Sequence, residues 1–227
     1  MATRTASGVV GMTPGSRPRG RLIALEGIDG SGKSTVTPAL GQALRKEGWT
    51  VALRHEPADR SLGLLAQSAS ARDPWTGAIY FTIVRHLARS ALDRDLATHD
   101  VVLTDRSFFS TLAYQGSALR PRDRRRLERL QRRVTVAPDR VVLLDLDPAE
   151  ALRRIGVRRE RRTPLERRAV LGRVAEAYRA LARRPGWVVV DARLPREELV
   201  RALVARLRRT LPEPRRRPSL GPRRRRR

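Results

Sequence analysis

No cysteine occurs in the chain, which excludes disulfides, thiolate metal sites and cysteine nucleophiles. Asparagine is missing too, and of 49 basic residues only Lys33 and Lys46 are lysine. Aromatic residues make up 4% of the 227, so each has packing work wherever it sits. No apolar run approaches the ~18 residues of a membrane-spanning helix. Residues 1–20 are small, polar and basic, without the charged-then-apolar order of a signal peptide, and a cytoplasmic location is expected.

What is plentiful is positive charge, a net +26. Such an excess points to polyanionic partners. Arginine used almost alone, beside abundant Ala, Leu, Pro and Gly, fits a composition drawn from GC-rich DNA equally well. The runs Arg215–Arg217 and Arg223–Arg227, broken by prolines and Gly221, read as a flexible polycation able to touch RNA or acidic partners non-specifically. They lack the aromatics that would stack bases. The expected organisation is one domain over 21–211, with disordered tails at 1–20 and 212–227.

Residues 22–35 carry the strongest signal. An apolar run, Leu22 to Leu25, precedes Gly27, Gly32, Lys33 and Ser34 in the spacing G-x-x-x-x-G-K-[ST], and a helix is expected over Val36–Lys46. Glycines let successive N–H groups face one concavity that cradles phosphate oxygens. Lys33 can reach the β- and γ-phosphates, and the Ser34 hydroxyl can ligate Mg²⁺. The following helix points its positive end at the same anion. The chain is expected to bind a nucleoside triphosphate with Mg²⁺ through Gly27, Ile28, Asp29, Gly30, Ser31, Gly32, Lys33, Ser34 and Thr35.

Further strands are expected at Thr50–His55, Val101–Thr104, Arg140–Asp145 and Trp187–Val190. Helices are expected at Leu62–Ala71, at Pro74–Thr98 as one long element, and at Pro121–Val134, Pro148–Val157, Pro164–Arg184 and Pro195–Leu211. The alternation gives a three-layer α/β fold with a five-stranded parallel sheet. In such sheets ligands bind beyond the C-terminal strand ends. There the sequence sets the phosphate loop, then Arg54-His55-Glu56-Pro57 with Arg60 as an acceptor-side candidate, then Asp105-Arg106-Ser107. Asp105 has the form of a magnesium-side carboxylate, and Arg106 suits an acceptor phosphate. A turn at 158–162 offers Arg158, Arg159 and Arg161 to a transferring phosphoryl group, within a lid of about 153–166; which of the three acts stays open.

Three segments resemble the bacterial thymidylate kinase family: Leu25 to Thr35; Asp105-Arg106-Ser107 through Ala113-Tyr114-Gln115-Gly116; and Leu144-Asp145-Leu146-Asp147-Pro148 through Arg154, then Arg173 to Ala182. The resemblance spans about Leu22 to Leu207 and implies a P-loop nucleotide kinase that phosphorylates dTMP with ATP and Mg²⁺, as a homodimer. It implies that Asp29 contacts the sugar 3′-hydroxyl and helps order Mg²⁺. It puts Phe81 and Arg85 on the thymine, Arg106 on the acceptor phosphate, Thr111 beside the base, Tyr114 against the 2′ position, Arg154 on the donor adenine and Tyr178 at the edge of the base pocket. Gly30-Ser31, with no basic residue, goes with the subgroup whose catalytic arginine lies in the lid. The sequence departs from the family at Ala58-Asp59, where two glycines are usual, at Ser107, where tyrosine is usual, and at Ile83-Val84, where Ala-Asp is usual. These departures leave a paralogue with another acceptor as the alternative. A nucleotide-dependent nucleic-acid-binding protein is the reading from a different class.

Overall fold

The computed structural model describes residues 19–157, 165 and 167–214. Five parallel strands form one sheet in the order β2-β3-β1-β4-β5. They are β1 (Arg21–Glu26), β2 (Val51–His55), β3 (Val101–Asp105), β4 (Arg140–Asp145) and β5 (Trp187–Asp191). Every residue of β3 is buried, as are five of six in β1. Successive strand residues point to opposite faces, so both faces of the sheet centre are covered. This is why these runs are continuously apolar instead of alternating. In β2 only Val51 is buried and the other four positions are intermediate or exposed, as suits an edge strand.

Helices cover the sheet: α1 (Lys33–Lys46), α2 (Arg60–Arg72), α3 (Pro74–Leu87), α4 (Arg89–Thr98), α5 (Phe108–Tyr114), α6 (Pro121–Val134), α7 (Pro148–Gly156), α8 (Arg168–Ala182) and α9 (Arg196–Arg208). One hydrophobic core joins β1, β3 and β4 to α1, α5, α8 and α9. A small satellite of Leu22, Leu96 and Val102 lies under α4.

Two expectations are corrected. The long helix over 74–98 is two helices, parted at Ala88, whose ψ opens to −3°. Apolar periodicity runs through the break, so no stop signal is visible. Packing sets it: α3 lies on α2, α5 and α6, whereas α4 turns down onto β3. The short helix α5 was not expected at all. It buries Phe108, Phe109, Thr111, Leu112, Ala113 and Tyr114, and a helix buried all round shows no amphipathic stripe. Its one local signal is Ser107, whose side chain accepts from the Phe109 N–H at 3.3 Å. Of the helix expected at 164–184, the described part runs Arg168–Ala182.

The register decides what meets at the strand ends. Leu25 pairs with Asp105, and His55 pairs with Asp105 from the other side. The Arg106 N–H then donates to the Leu25 carbonyl at 2.9 Å. The ends of β1, β2 and β3 are thus level with one another.

Candidate functional site

The phosphate loop leaves β1 at Glu26 and turns directly into α1. Gly27 has φ 146°, and a Cβ there would lie 2.7 Å from the Leu144 carbonyl, so only glycine fits. Gly32 precedes α1 in the left-handed region and gives it no side-chain cap. The Thr35 N–H donates to the Gly32 carbonyl at 3.0 Å, which leaves the Lys33 and Ser34 N–H groups of the first turn to an anion. Ser34 and Thr35 are exposed in that first turn, whereas Ile28 and Ser31 are buried within the loop. A Cβ on Gly30 would meet the Ala151 carbonyl at 2.7 Å, so α7 lies directly against the loop. Arg154, one turn further along α7, bonds Glu150 at 2.7 Å and the Ala192 carbonyl at 3.1 Å.

Lys33 is 5% exposed. Its Nζ donates to the carbonyls of Gly27 at 3.0 Å and Ile28 at 2.9 Å, and so the loop holds the ammonium that a phosphate would otherwise take. Burial, and then the neighbouring Arg106, bring its pKa down to about 8, against the pull of Asp29, Asp105 and Glu26.

Asp105 is buried at the end of β3. Its Oδ2 lies 3.6 Å from His55 Nδ1, while its Oδ1 has no hydrogen-bond partner among the described residues. Burial works to raise its pKa, but the His55 contact and the charges of Lys33 and Arg106 hold it below the usual carboxylate range. A buried ionised oxygen without a partner is costly and suits a cation. Among the described residues no cluster of three His, Asp or Glu could hold a metal. The single open carboxylate oxygen of Asp105 fits Mg²⁺, which takes one or two carboxylates and completes its shell with water and substrate phosphates. Asp105 and the exposed Ser34 hydroxyl are the residues that would hold it.

Beside the loop a cavity is lined by Asp29, Phe81, Arg85, Arg106, Thr111 and Tyr114 among others. Sequence reasoning assigned all six to the acceptor. Arg106 lies in the left-handed region at φ 75°, which for a non-glycine residue costs about 1–2 kcal/mol. Its guanidinium pairs with Asp29, donates to Ser110 Oγ at 3.1 Å and sits over the Tyr114 ring at 5.3 Å. The Tyr114 hydroxyl accepts from the Asp29 N–H at 2.9 Å. Burial and the Asp29 carboxylate raise its pKa, so it stays protonated. Arg85 is fixed by Glu56 at 2.6 Å, Gln131 at 3.0 Å, the Ser107 carbonyl at 3.3 Å and Thr111 at 3.4 Å.

Other assigned residues lie elsewhere. Arg60 is exposed at the start of α2 and Tyr178 is 1% exposed, its hydroxyl donating to Glu26 at 2.8 Å. Neither lines the cavity. Arg158, Arg159, Arg161 and the arginine runs at 215–217 and 223–227 fall outside the described residues. The cavity also takes in Glu56, Gln67, Ser110 and Gln115, which sequence reasoning left without a role. Gln115 sits inside the Ala-Tyr-Gln-Gly signature and could have been read there; it donates to Ser70 Oγ at 3.1 Å, tying α5 to α2. Gln67 had no signal. The departures prove mild. Ser107 faces inward to Glu26, and Asp59 caps α2 by accepting from the Leu62 N–H at 2.8 Å. Of these, only Ala58 reaches the cavity wall, joined there by Val84 from the α3 pair.

A family model described as thymidylate kinase matches residues 25–203. Curated relatives include the probable thymidylate kinase of Pyrobaculum calidifontis, 36% identical over 198 residues, 84% of this chain and 97% of that protein. The thymidylate kinase of Synechococcus sp. WH7803 is 36% identical over 201 residues, 82% of this chain and 93% of that protein. The probable thymidylate kinase of Methanosarcina mazei is 36% identical over 199 residues, covering 83% and 96%.

Proposed function

The chain belongs to the thymidylate kinase family, and from that premise we propose that it transfers the γ-phosphoryl group of ATP to dTMP, giving dTDP and ADP. An oxygen of the acceptor phosphate attacks the γ-phosphorus in line while the bond to the β-γ bridging oxygen breaks, with no covalent enzyme intermediate. Catalysis is then positioning and charge neutralisation. Mg²⁺ held by Asp105 and Ser34 would supply positive charge to offset that of the phosphates.

The observation that carries this reading is the ion pair of Asp29 with Arg106. It makes the phosphate loop one wall of the acceptor cavity. In this reading Gly27 to Thr35 hold the ATP phosphates and Lys33 leaves its carbonyls for them. Arg106 holds the acceptor phosphate, Phe81 stacks on the base and Arg85 meets its edge. Tyr114 crowds the sugar, and Arg154 attends the donor adenine. A coupled ADP-release assay across nucleoside monophosphates tests this; turnover no better with dTMP than with the others would sink it.

A homodimer belongs to the same proposal. The paired helices α2 and α3 expose Leu64, Leu65, Ile83 and Leu87, an apolar surface that a second copy would cover. Light scattering on the purified protein tests it. A cytoplasmic site of action accords with the small nucleotide substrates, and among the described residues no helix is long and apolar enough to cross a membrane.

A further inference from the structure

Glu26 has no part in the roles above, yet it is fully buried at the end of β1. One carboxylate oxygen accepts from the Ser107 N–H at 2.8 Å and the Ser107 hydroxyl at 2.7 Å. The other accepts from the Ser110 hydroxyl at 2.7 Å and the Tyr178 hydroxyl at 2.8 Å. An ionised carboxylate is acceptor-only, with about four lone-pair sites, and here four donors fill them. Burial pushes the Glu26 carboxyl above its usual range, and Ser110, Ser107, the Arg106 charge and Tyr178 offset that only in part.

Ser110 has a single proton. With that proton on Glu26, only lone pairs remain for Arg106 Nη1, 3.1 Å away. We infer that Glu26 is a positioning residue for acceptor binding: by drawing the Ser110 proton to itself it fixes Ser110 as an acceptor, and Ser110 in turn holds the Arg106 guanidinium where the acceptor phosphate docks. The Asp29 pair cannot do this alone, because an incoming phosphate repels Asp29 and competes with it for the same cation. Ser110 is neutral and keeps its bond when the anion arrives.

This inference rests on the proposed reaction. The test is steady-state kinetics with dTMP and ATP varied separately. Ser110→Ala is expected to raise KM for dTMP about tenfold, the order of one hydrogen bond to a charged group, and to leave KM for ATP within about twofold. Ser110→Thr, which keeps the hydroxyl, is expected to recover most of the loss. Glu26→Gln puts an amide donor against the serine hydroxyls and is expected to raise KM for dTMP similarly. The double variant should be no worse than Ser110→Ala alone, since both changes cut one chain of bonds. Additive losses, equal rises in both KM values, or an unchanged dTMP KM in Ser110→Ala would each overturn the inference. If circular dichroism shows Glu26→Gln unfolded, the two Ser110 variants decide. A wild-type enzyme that prefers another monophosphate sinks the substrate assignment instead, and the same KM comparison made with that acceptor still decides the role of Glu26.

Discussion

Asp29 and Arg106, 77 positions apart in the chain, form an ion pair between the phosphate loop and the residue after β3. Arg106 reaches that position through a backbone conformation that side chains other than glycine rarely adopt. Two variants separate its chemistry from its strain. Arg106→Ala and Arg106→Gly should each lower kcat/KM for dTMP by about a hundredfold or more. Yet the glycine variant should be the more stable of the pair by about 1 kcal/mol, or ~2–4 °C in Tm for a chain of this size. Equal melting temperatures would mean that the backbone is not strained there.

Lys33 predicts a pH dependence of nucleotide binding. With its pKa at about 8, the free protein loses the charge that phosphates favour as pH rises. ATP affinity by calorimetry should be nearly flat below about pH 7 and weaken above pH 8 by up to about tenfold per unit, and Lys33→Met should abolish that slope. The stability sign is opposite. Between about 8 and the ordinary lysine value of 10.5 the unfolded chain holds the proton that the folded chain has released, so the Lys33 contribution to stability rises with pH through that window. Urea midpoints across the window check it.

Asp105→Asn should raise the Mg²⁺ concentration for half-maximal velocity by about tenfold or more, because an amide cannot replace an ionised ligand. The nucleotide-free protein should melt slightly lower than wild type, since His55, Lys33 and Arg106 hold the Asp105 pKa down and the ionised carboxylate therefore favours the folded state. A large drop in Tm would instead assign Asp105 a structural role through His55.

Gly77→Ala tests how the cavity wall is held. A Cβ there would lie 1.9 Å from Ser70 Oγ and 2.6 Å from Ser70 Cα, so α2 and α3 must part. A loss of about 1–3 kcal/mol in stability is expected. Since Ser70 also receives Gln115, KM for dTMP should rise while KM for ATP stays put.

The strands were legible because their chemistry is local. Val101 to Leu103 and Val141 to Leu144 are apolar at every position, as a doubly covered sheet requires, and the glycine spacing of 27–32 has few other uses. The cavity was legible residue by residue from the family likeness: Phe81, Arg85, Thr111 and Tyr114 do meet, although nothing in their spacing says so. What escaped depends on three-dimensional neighbours. The split at Ala88 answers to the surfaces beneath α3 and α4. The inward aim of Tyr178 and Ser107 follows from Glu26, and a single glutamate before a glycine loop gives no hint that four donors converge on it.

The walls of the cavity draw on the strand ends, on α5 and on the insert between β2 and β3. Asp29 and Arg106 extend from neighbouring strands, locked in register by Leu25 and Asp105. Ala58, Gln67, Phe81 and Arg85 come from the connection and the helix pair inserted between β2 and β3. On the proposed reading the insert carries acceptor selectivity and the strand ends carry the transfer, with Arg85 joining the two through the Ser107 carbonyl and Thr111. On that reading, exchanging residues 58–88 for another hairpin of like length would retarget the acceptor, provided that the bonds of Arg85 to the Ser107 carbonyl and Thr111 and of Gln115 to Ser70 are rebuilt.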